Sequence, residues 1–202
     1  MIEAFVTITY TDNALIYELE FLKRNFIMKF FAGVVVTICV ILIIGIITIY
    51  SGWYNVSAAN KPGGIERWLF GTTMDNSVEK RAEDLSAPDL KSPEKIKEGF
   101  VHYNEMCKSC HGAPGKAESE IAKGLNPHPP DLSKSALDMS PEELFWVTKN
   151  GVKMTGMPAW GKTHSDDKIW AMVAFIEKLP GMTEAQYDSL NSQTKSMPKD
   201  ED

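Results

Sequence analysis

From Phe30 to Tyr50 the chain runs for 21 residues without a charged side chain, and that run decides how everything else is partitioned. At about 1.5 Å rise per residue it makes about 30 Å of helix, the thickness of a bilayer core. A buried soluble helix of that length would carry a polar face, and this run offers only Thr37, Cys39 and Thr48. It reads as a membrane span. Lys23, Arg24 and Lys29 precede it and no basic residue follows before Lys61, so the N-terminus is expected on the cytoplasmic side. Tyr50, Trp53 and Tyr54 fall where interfacial aromatics belong. A cleaved signal sequence, processed after Val56-Ser57-Ala58, is the alternative, but the run exceeds a typical signal core and favours a retained anchor. Residues 1–27 are either a short cytoplasmic tail or lie upstream of a true start at Met28. The anchor itself is assigned to 28–52.

Beyond the span, Cys107-Lys108-Ser109-Cys110-His111 is the most specific motif. Two thiols three positions apart can each add across one vinyl group of a porphyrin, and the histidine that follows can bind the iron beneath it. One covalent haem c, attached through Cys107 and Cys110, is therefore expected. A redox dithiol would sit near a βαβ pattern, which is missing here. Structural zinc would need a second ligand pair, and the only other cysteine, Cys39, lies inside the apolar run.

The soluble part begins with 53–91, read as a linker holding one or two short helices, with Trp68, Leu69 and Phe70 either at a membrane surface or, more simply, packed on the next domain. Three helix starts follow. Ser92-Pro93-Glu94 supplies an N-cap, a proline at the first helical position and an acid near the positive dipole end. Ser140-Pro141-Glu142-Glu143 is a capping box, and that helix ends at Asn150-Gly151. Ser165-Asp166-Asp167 opens a third helix that runs toward Leu179-Pro180-Gly181. No strand pattern competes, so the fold class is all-α. Residues 182–202 read as a polar acidic tail, closed by Asp200, Glu201 and Asp202 and expected to be disordered.

Over about 92–181 the chain resembles the class I, single-haem cytochromes c of the membrane-anchored bacterial type. Gly99 and Tyr103 stand eight and four residues before Cys107, where the family's first helix has a glycine and an aromatic. The resemblance sets that pair against Phe175 in the last helix. It also implies that a carbonyl in Pro129-Pro130-Asp131-Leu132, from Pro130 by analogy, accepts a hydrogen bond from His111, which fixes the ring. An ordinary proline-rich loop is the plainer reading of that segment. Gly156-Met157-Pro158-Ala159-Trp160 is similar to the family's axial-methionine loop, which makes His111 and Met157 the expected iron ligands. Met154 is the local rival, and His102, His128 and His164 are generic candidates. Trp146, Trp160 and Trp170 are candidate neighbours of the haem.

With both axial positions filled the iron has no place for a substrate, so the expected role is a membrane-tethered electron carrier rather than an enzyme. It would work on the periplasmic side of a bacterial inner membrane with respiratory redox partners, its linker letting the domain swing between donor and acceptor. A fixed cytochrome subunit of a larger membrane oxidoreductase is a second reading; a redox or gas sensor is a third. From residue 51 onward 18 Lys and Arg stand against 23 Asp and Glu, which argues against nucleic acid as a partner. Lys108, Lys116, Lys149, Lys153 and Lys162 form either a docking patch for an acidic partner or ordinary solvated surface.

Overall fold

The computed structural model describes the backbone of residues 2–195, with side chains from residue 17. It falls into two compact units, 1–56 and 57–202.

The first unit is one helix, α1 (Ile2–Ser51). Its portion from Tyr17 to Ser51 is long and apolar enough to cross a membrane, and its described side chains are almost all exposed. The two threonine hydroxyls of the uncharged run from Phe30 to Tyr50 bond within the helix: Thr37 Oγ1 donates to the Gly33 carbonyl at 2.9 Å, and Thr48 Oγ1 to that of Ile44 at 2.9 Å. Internal bonding of this kind suits that run to lipid.

The second unit is helical throughout, with no strand among the described residues. In chain order it contains α2 (Gly64–Ala82), α3 (Pro93–His102), a π-helical turn (Tyr103–Cys107), α4 (Lys108–His111), α5 (Glu120–Gly124) and α6 (Leu132–Ser135). A 3-10 turn (Ala136–Asp138), α7 (Pro141–Asn150), a second 3-10 turn (Trp160–Lys162), α8 (Asp166–Ile176) and α9 (Glu184–Thr194) complete it.

The three expected helix starts are formed by their serines. Ser92 Oγ accepts from the Lys95 amide at 3.4 Å, Ser140 Oγ from that of Glu143 at 3.2 Å, and Ser165 Oγ from that of Lys168 at 3.4 Å. In return Glu143 accepts from the Ser140 amide at 2.6 Å, which closes the capping box. α8 is buried from Ile169 to Ile176 and forms the spine of the core. It meets α3 at Gly99, where a Cβ would collide with the Ala171 carbonyl oxygen and sit 3.0 Å from Phe175 Cβ. That close approach brings Phe100 and Tyr103 onto Phe175, with ring centroids 5.2 and 5.1 Å apart.

Three expectations are corrected. Residues 53–91 do not form a long free linker with short helices. α2 is 19 residues long, buries Val78 and Ala82 and packs on α7, and the Ala87 amide donates to Glu142 Oε1 at 3.1 Å. From residue 57 on, this segment belongs to the compact unit, so it is no swinging arm. Trp68, Leu69 and Phe70 are not packed on the domain; they are 68%, 48% and 68% exposed. Nor is 182–202 a tail from its start. Thr183 caps α9, accepting from the Gln186 amide at 3.3 Å, and Tyr187 of α9 is buried against Phe100 with centroids 5.0 Å apart. Asp200, Glu201 and Asp202 lie outside the described residues.

Candidate functional site

The cysteine motif sits where α3 gives way to the π turn and then to α4. A π turn widens the helix by one residue, a device that recurs at functional sites. It carries Tyr103 and Cys107 inward, while Cys110 and His111 on the next turn stay half-buried. Neither thiol is in a disulfide. Burial pushes the Cys107 thiol up to about 12, with Cys110 adding to the rise, so it is neutral at ordinary pH. The turn is tied down from several sides. Tyr103 Oη donates to the Gly112 carbonyl at 2.8 Å, Ser109 Oγ to that of Met106 at 3.2 Å, and Ser119 Oγ to that of Ser109.

His111 Nδ1 stands 2.9 Å from the Pro130 carbonyl oxygen, the contact the resemblance implies. A carbonyl can only accept, so Nδ1 carries the proton and Nε2 keeps its lone pair for a metal. Burial lowers the His111 pKa from its ordinary value, against the opposing pull of the Pro130 bond, and keeps the ring neutral. The proline segment is fixed in turn by Asp131, which caps α6 and accepts from the Ser133 amide at 3.0 Å. Lys134, 2.8 Å away, and then Ser133 hold the Asp131 carboxyl below its usual value.

Met157 lies on the loop between α7 and α8, which hydrogen-bonds to itself. The Val152 amide donates to the Met157 carbonyl at 3.2 Å, the Met157 amide to Thr155 Oγ1 at 3.1 Å, and Thr155 Oγ1 to the Val152 carbonyl at 2.8 Å. Gly151 opens the loop at φ 65°, and a Cβ there would lie 2.7 Å from the Met157 carbonyl oxygen, so only glycine fits. Gly156 rests on Leu125, whose neighbour Asn126 donates through Nδ2 to the Ala58 and Asn60 carbonyls at 3.1 and 2.6 Å. Met157 is half-buried, whereas Met154 turns the loop at φ 61° and is 98% exposed. Of the two methionines, Met157 is the one held in place.

The histidine rivals are engaged elsewhere. His102 and His164 meet edge to face with centroids 5.5 Å apart, and His128 Nε2 contacts Glu118. Trp170 stacks on Phe145 at 4.0 Å, Trp160 meets His164, and Trp146 lies under Arg81 of α2. Three of the five lysines have intramolecular partners: Lys108 with Asn104, Lys149 with Asp166, and Lys116 with Glu184 and Asp188. That weakens the docking-patch reading in favour of ordinary surface.

Sequence reasoning missed Thr155, Leu125 and α9. Thr155 had a readable signal, a hydroxyl residue two positions before a constrained backbone. Leu125 had none, because its contact joins distant loops. α9 reaches the motif through Tyr187 Oη, 3.1 Å from Asn104 Oδ1, and its capping residues Thr183 and Gln186 were visible.

The donor set is two thiols one turn apart, an imidazole whose Nδ1 donates to Pro130, and a thioether carried on a hydrogen-bonded loop. It fits a covalently attached haem. Residues 94–176 match the family model described as cytochrome c oxidase, cbb3-type, subunit III. The match spans under half of the chain and covers α3 to α8. Comparison with curated proteins returned no match. Among solved structures, a chain of the Kuenenia stuttgartiensis reducing HAO-like protein complex aligns with TM-score 0.40 and 22% identity, over 47% of this chain and 50% of that one. The chain thus spans about half the length of that structural relative.

Proposed function

We propose, from the premise that residues 94–176 are a monohaem c-type cytochrome domain, that this protein is a membrane-tethered electron carrier. Cys107 and Cys110 would hold one haem through thioether bonds, and His111 and Met157 would supply its iron ligands. When bound, the haem supplies a one-electron Fe(III)/Fe(II) couple, and a soft thioether opposite imidazole favours the reduced state. The chain's own residues do the rest. Pro130 fixes the His111 ring and tautomer, and Thr155 holds the Met157 backbone. With His111 and Met157 both bound to it, the iron would have no position left for a substrate. The observation that carries the reading is the His111–Pro130 contact at 2.9 Å, which leaves Nε2 as the one lone pair on that ring.

The apolar part of α1 serves as a retained anchor in the inner membrane, its N-terminal side in the cytoplasm and the haem domain in the periplasm. The basic residues before the run support that orientation. The printed family description, a subunit of an oxidase, favours a second reading in which the domain is one fixed station in a larger complex. Co-purification after mild solubilisation separates the two.

A spectroelectrochemical titration of the full chain tests the function. One covalent haem should titrate as a single one-electron component, and the reduced protein should not take up carbon monoxide. Rapid carbon monoxide binding would mean an open iron and a sensor or catalytic role.

A further inference from the structure

The first two turns of α2 carry the largest exposed apolar group in the soluble unit. Ile65 is 79% exposed, and Trp68, Leu69 and Phe70 are 68%, 48% and 68% exposed, within six consecutive residues. The same helix is held firmly further along, where Val78 and Ala82 are buried and α2 packs on α7. So these turns project from a fixed base rather than from a loose segment. At about 100° per residue Ile65, Trp68 and Leu69 share one face of the helix, Phe70 flanks it, and Glu66 and Arg67 lie on the remaining sides. An exposed apolar face backed by charged residues suits a helix that lies in a membrane interface.

The chain also limits what can cover it. Asn126 pins the Ala58 and Asn60 carbonyls to the haem-binding unit. Only the six residues Gly52–Ser57 separate that pinned segment from the end of α1, a reach of about 20 Å when fully extended. α2 begins four residues after Asn60. A tether this short limits how far the start of α2 can lie from the surface that α1 enters. An encounter partner would cover it only part of the time.

We propose that the first two turns of α2 form a second membrane contact, immersed at the headgroup–acyl boundary with Trp68 at its centre. The proposal rests on the reading of α1 as a membrane anchor and is independent of the haem. Anchor and α2 together make a two-point attachment, which fixes the orientation of the haem-binding unit on the bilayer.

The test uses the full haem-loaded chain, with Cys39→Ser, in nanodiscs of phosphatidylcholine and phosphatidylglycerol. Single spin labels are placed at Leu69→Cys, at Phe70→Cys, at Glu79→Cys on the polar part of the helix, and at Ile41→Cys in the span. Collision with oxygen is compared with collision with a water-soluble nickel chelate, and an unchanged haem spectrum certifies the fold. Labels at 69 and 70 should favour oxygen, the label at 79 should favour nickel, and Trp68→Glu should move the oxygen-to-nickel ratio at 70 at least tenfold toward water. A label at 69 open to nickel while 41 is protected would overturn the proposal and leave the anchor standing. A label at 69 shielded from both reagents means a protein covers the site, which also overturns it. Nickel access at 41 would remove the anchor and the proposal with it.

Discussion

Gly99→Ala probes the contact on which the domain depends. The added Cβ would collide with the Ala171 carbonyl oxygen and lie 2.5 Å from its carbonyl carbon. Comfortable carbon contacts begin near 3.5 Å, so α3 and α8 would have to part by about 1 Å. Neither helix can yield easily, because α8 is buried from Ile169 to Ile176 and Phe100, Tyr103, Phe175 and Tyr187 interlock on both sides. Overpacking of this kind costs about 1–3 kcal/mol, occasionally more, and the alanine's better helix propensity returns up to about 1 kcal/mol. The net is ~1–2 kcal/mol of destabilisation, or roughly 2–8 °C in Tm for a unit of this size. Thermal unfolding of the full chain in detergent, followed by far-ultraviolet and Soret circular dichroism, reads it directly. Gly71→Ala is the control: it is also mid-helix, a Cβ there meets nothing within 4 Å, and stability should hold or rise. A Gly99→Ala protein as stable as the native one would refute the packing argument.

Two further outcomes follow from the loop and the core. Thr155→Val removes the two hydrogen bonds of the Thr155 hydroxyl, accepted from the Met157 amide and donated to the Val152 carbonyl, at about 1 kcal/mol each, so the fraction of reduced protein open to carbon monoxide should rise roughly tenfold or more. Thr155→Ser keeps the hydroxyl and should behave like the native chain, and equal behaviour of the two variants would remove Thr155 from the account. Burial raises the phenol pKa of Tyr187 to about 12 and that of Tyr103 further still, both from an ordinary value of 10.0. A raised folded pKa on an acid leaves its stabilising effect complete below pH 10 and removes it as pH climbs toward the folded value. Urea midpoints should therefore be level up to about pH 10 and fall between pH 10 and 12, less steeply in Tyr187→Phe; a flat profile across that window contradicts the burial of these phenols.

Local chemistry was legible wherever one short stretch of sequence carried it. Ser92, Ser140 and Ser165 declare their helices because an N-cap is a contact within four residues. The meeting of Gly99, Tyr103 and Phe175 and the approach of Pro130 to His111 came through family resemblance, not spacing, since they join distant segments. α9 was lost because its sequence is polar: among its residues only Tyr187 and Thr194 are buried, and Lys116 holds it by ion pairs to Glu184 and Asp188 that no hydrophobic pattern reveals. The length of α2 is not legible from periodicity, because its apolar residues are exposed in one half and buried in the other. Ile65, Trp68, Leu69 and Phe70 are exposed in its first half, whereas Val78 and Ala82 face the core in its second. The π turn before the cysteines left no trace, since it changes hydrogen-bond register and not composition.

The central claim is that His111 and Met157 close the two faces of one haem iron. Paired spectra and reduction potentials of Met157→Ala and Met154→Ala, measured on the full chain, test it most directly. Met157→Ala should lose the methionine-to-iron charge-transfer band, show a lower potential and bind carbon monoxide when reduced, because the soft ligand favouring Fe(II) is gone. Met154, 98% exposed at the loop apex, should tolerate alanine with the band and potential unchanged. If the two variants exchange these phenotypes, Met154 is the ligand; if both keep the native spectrum, the sixth ligand is neither methionine and the electron-carrier account fails at its centre.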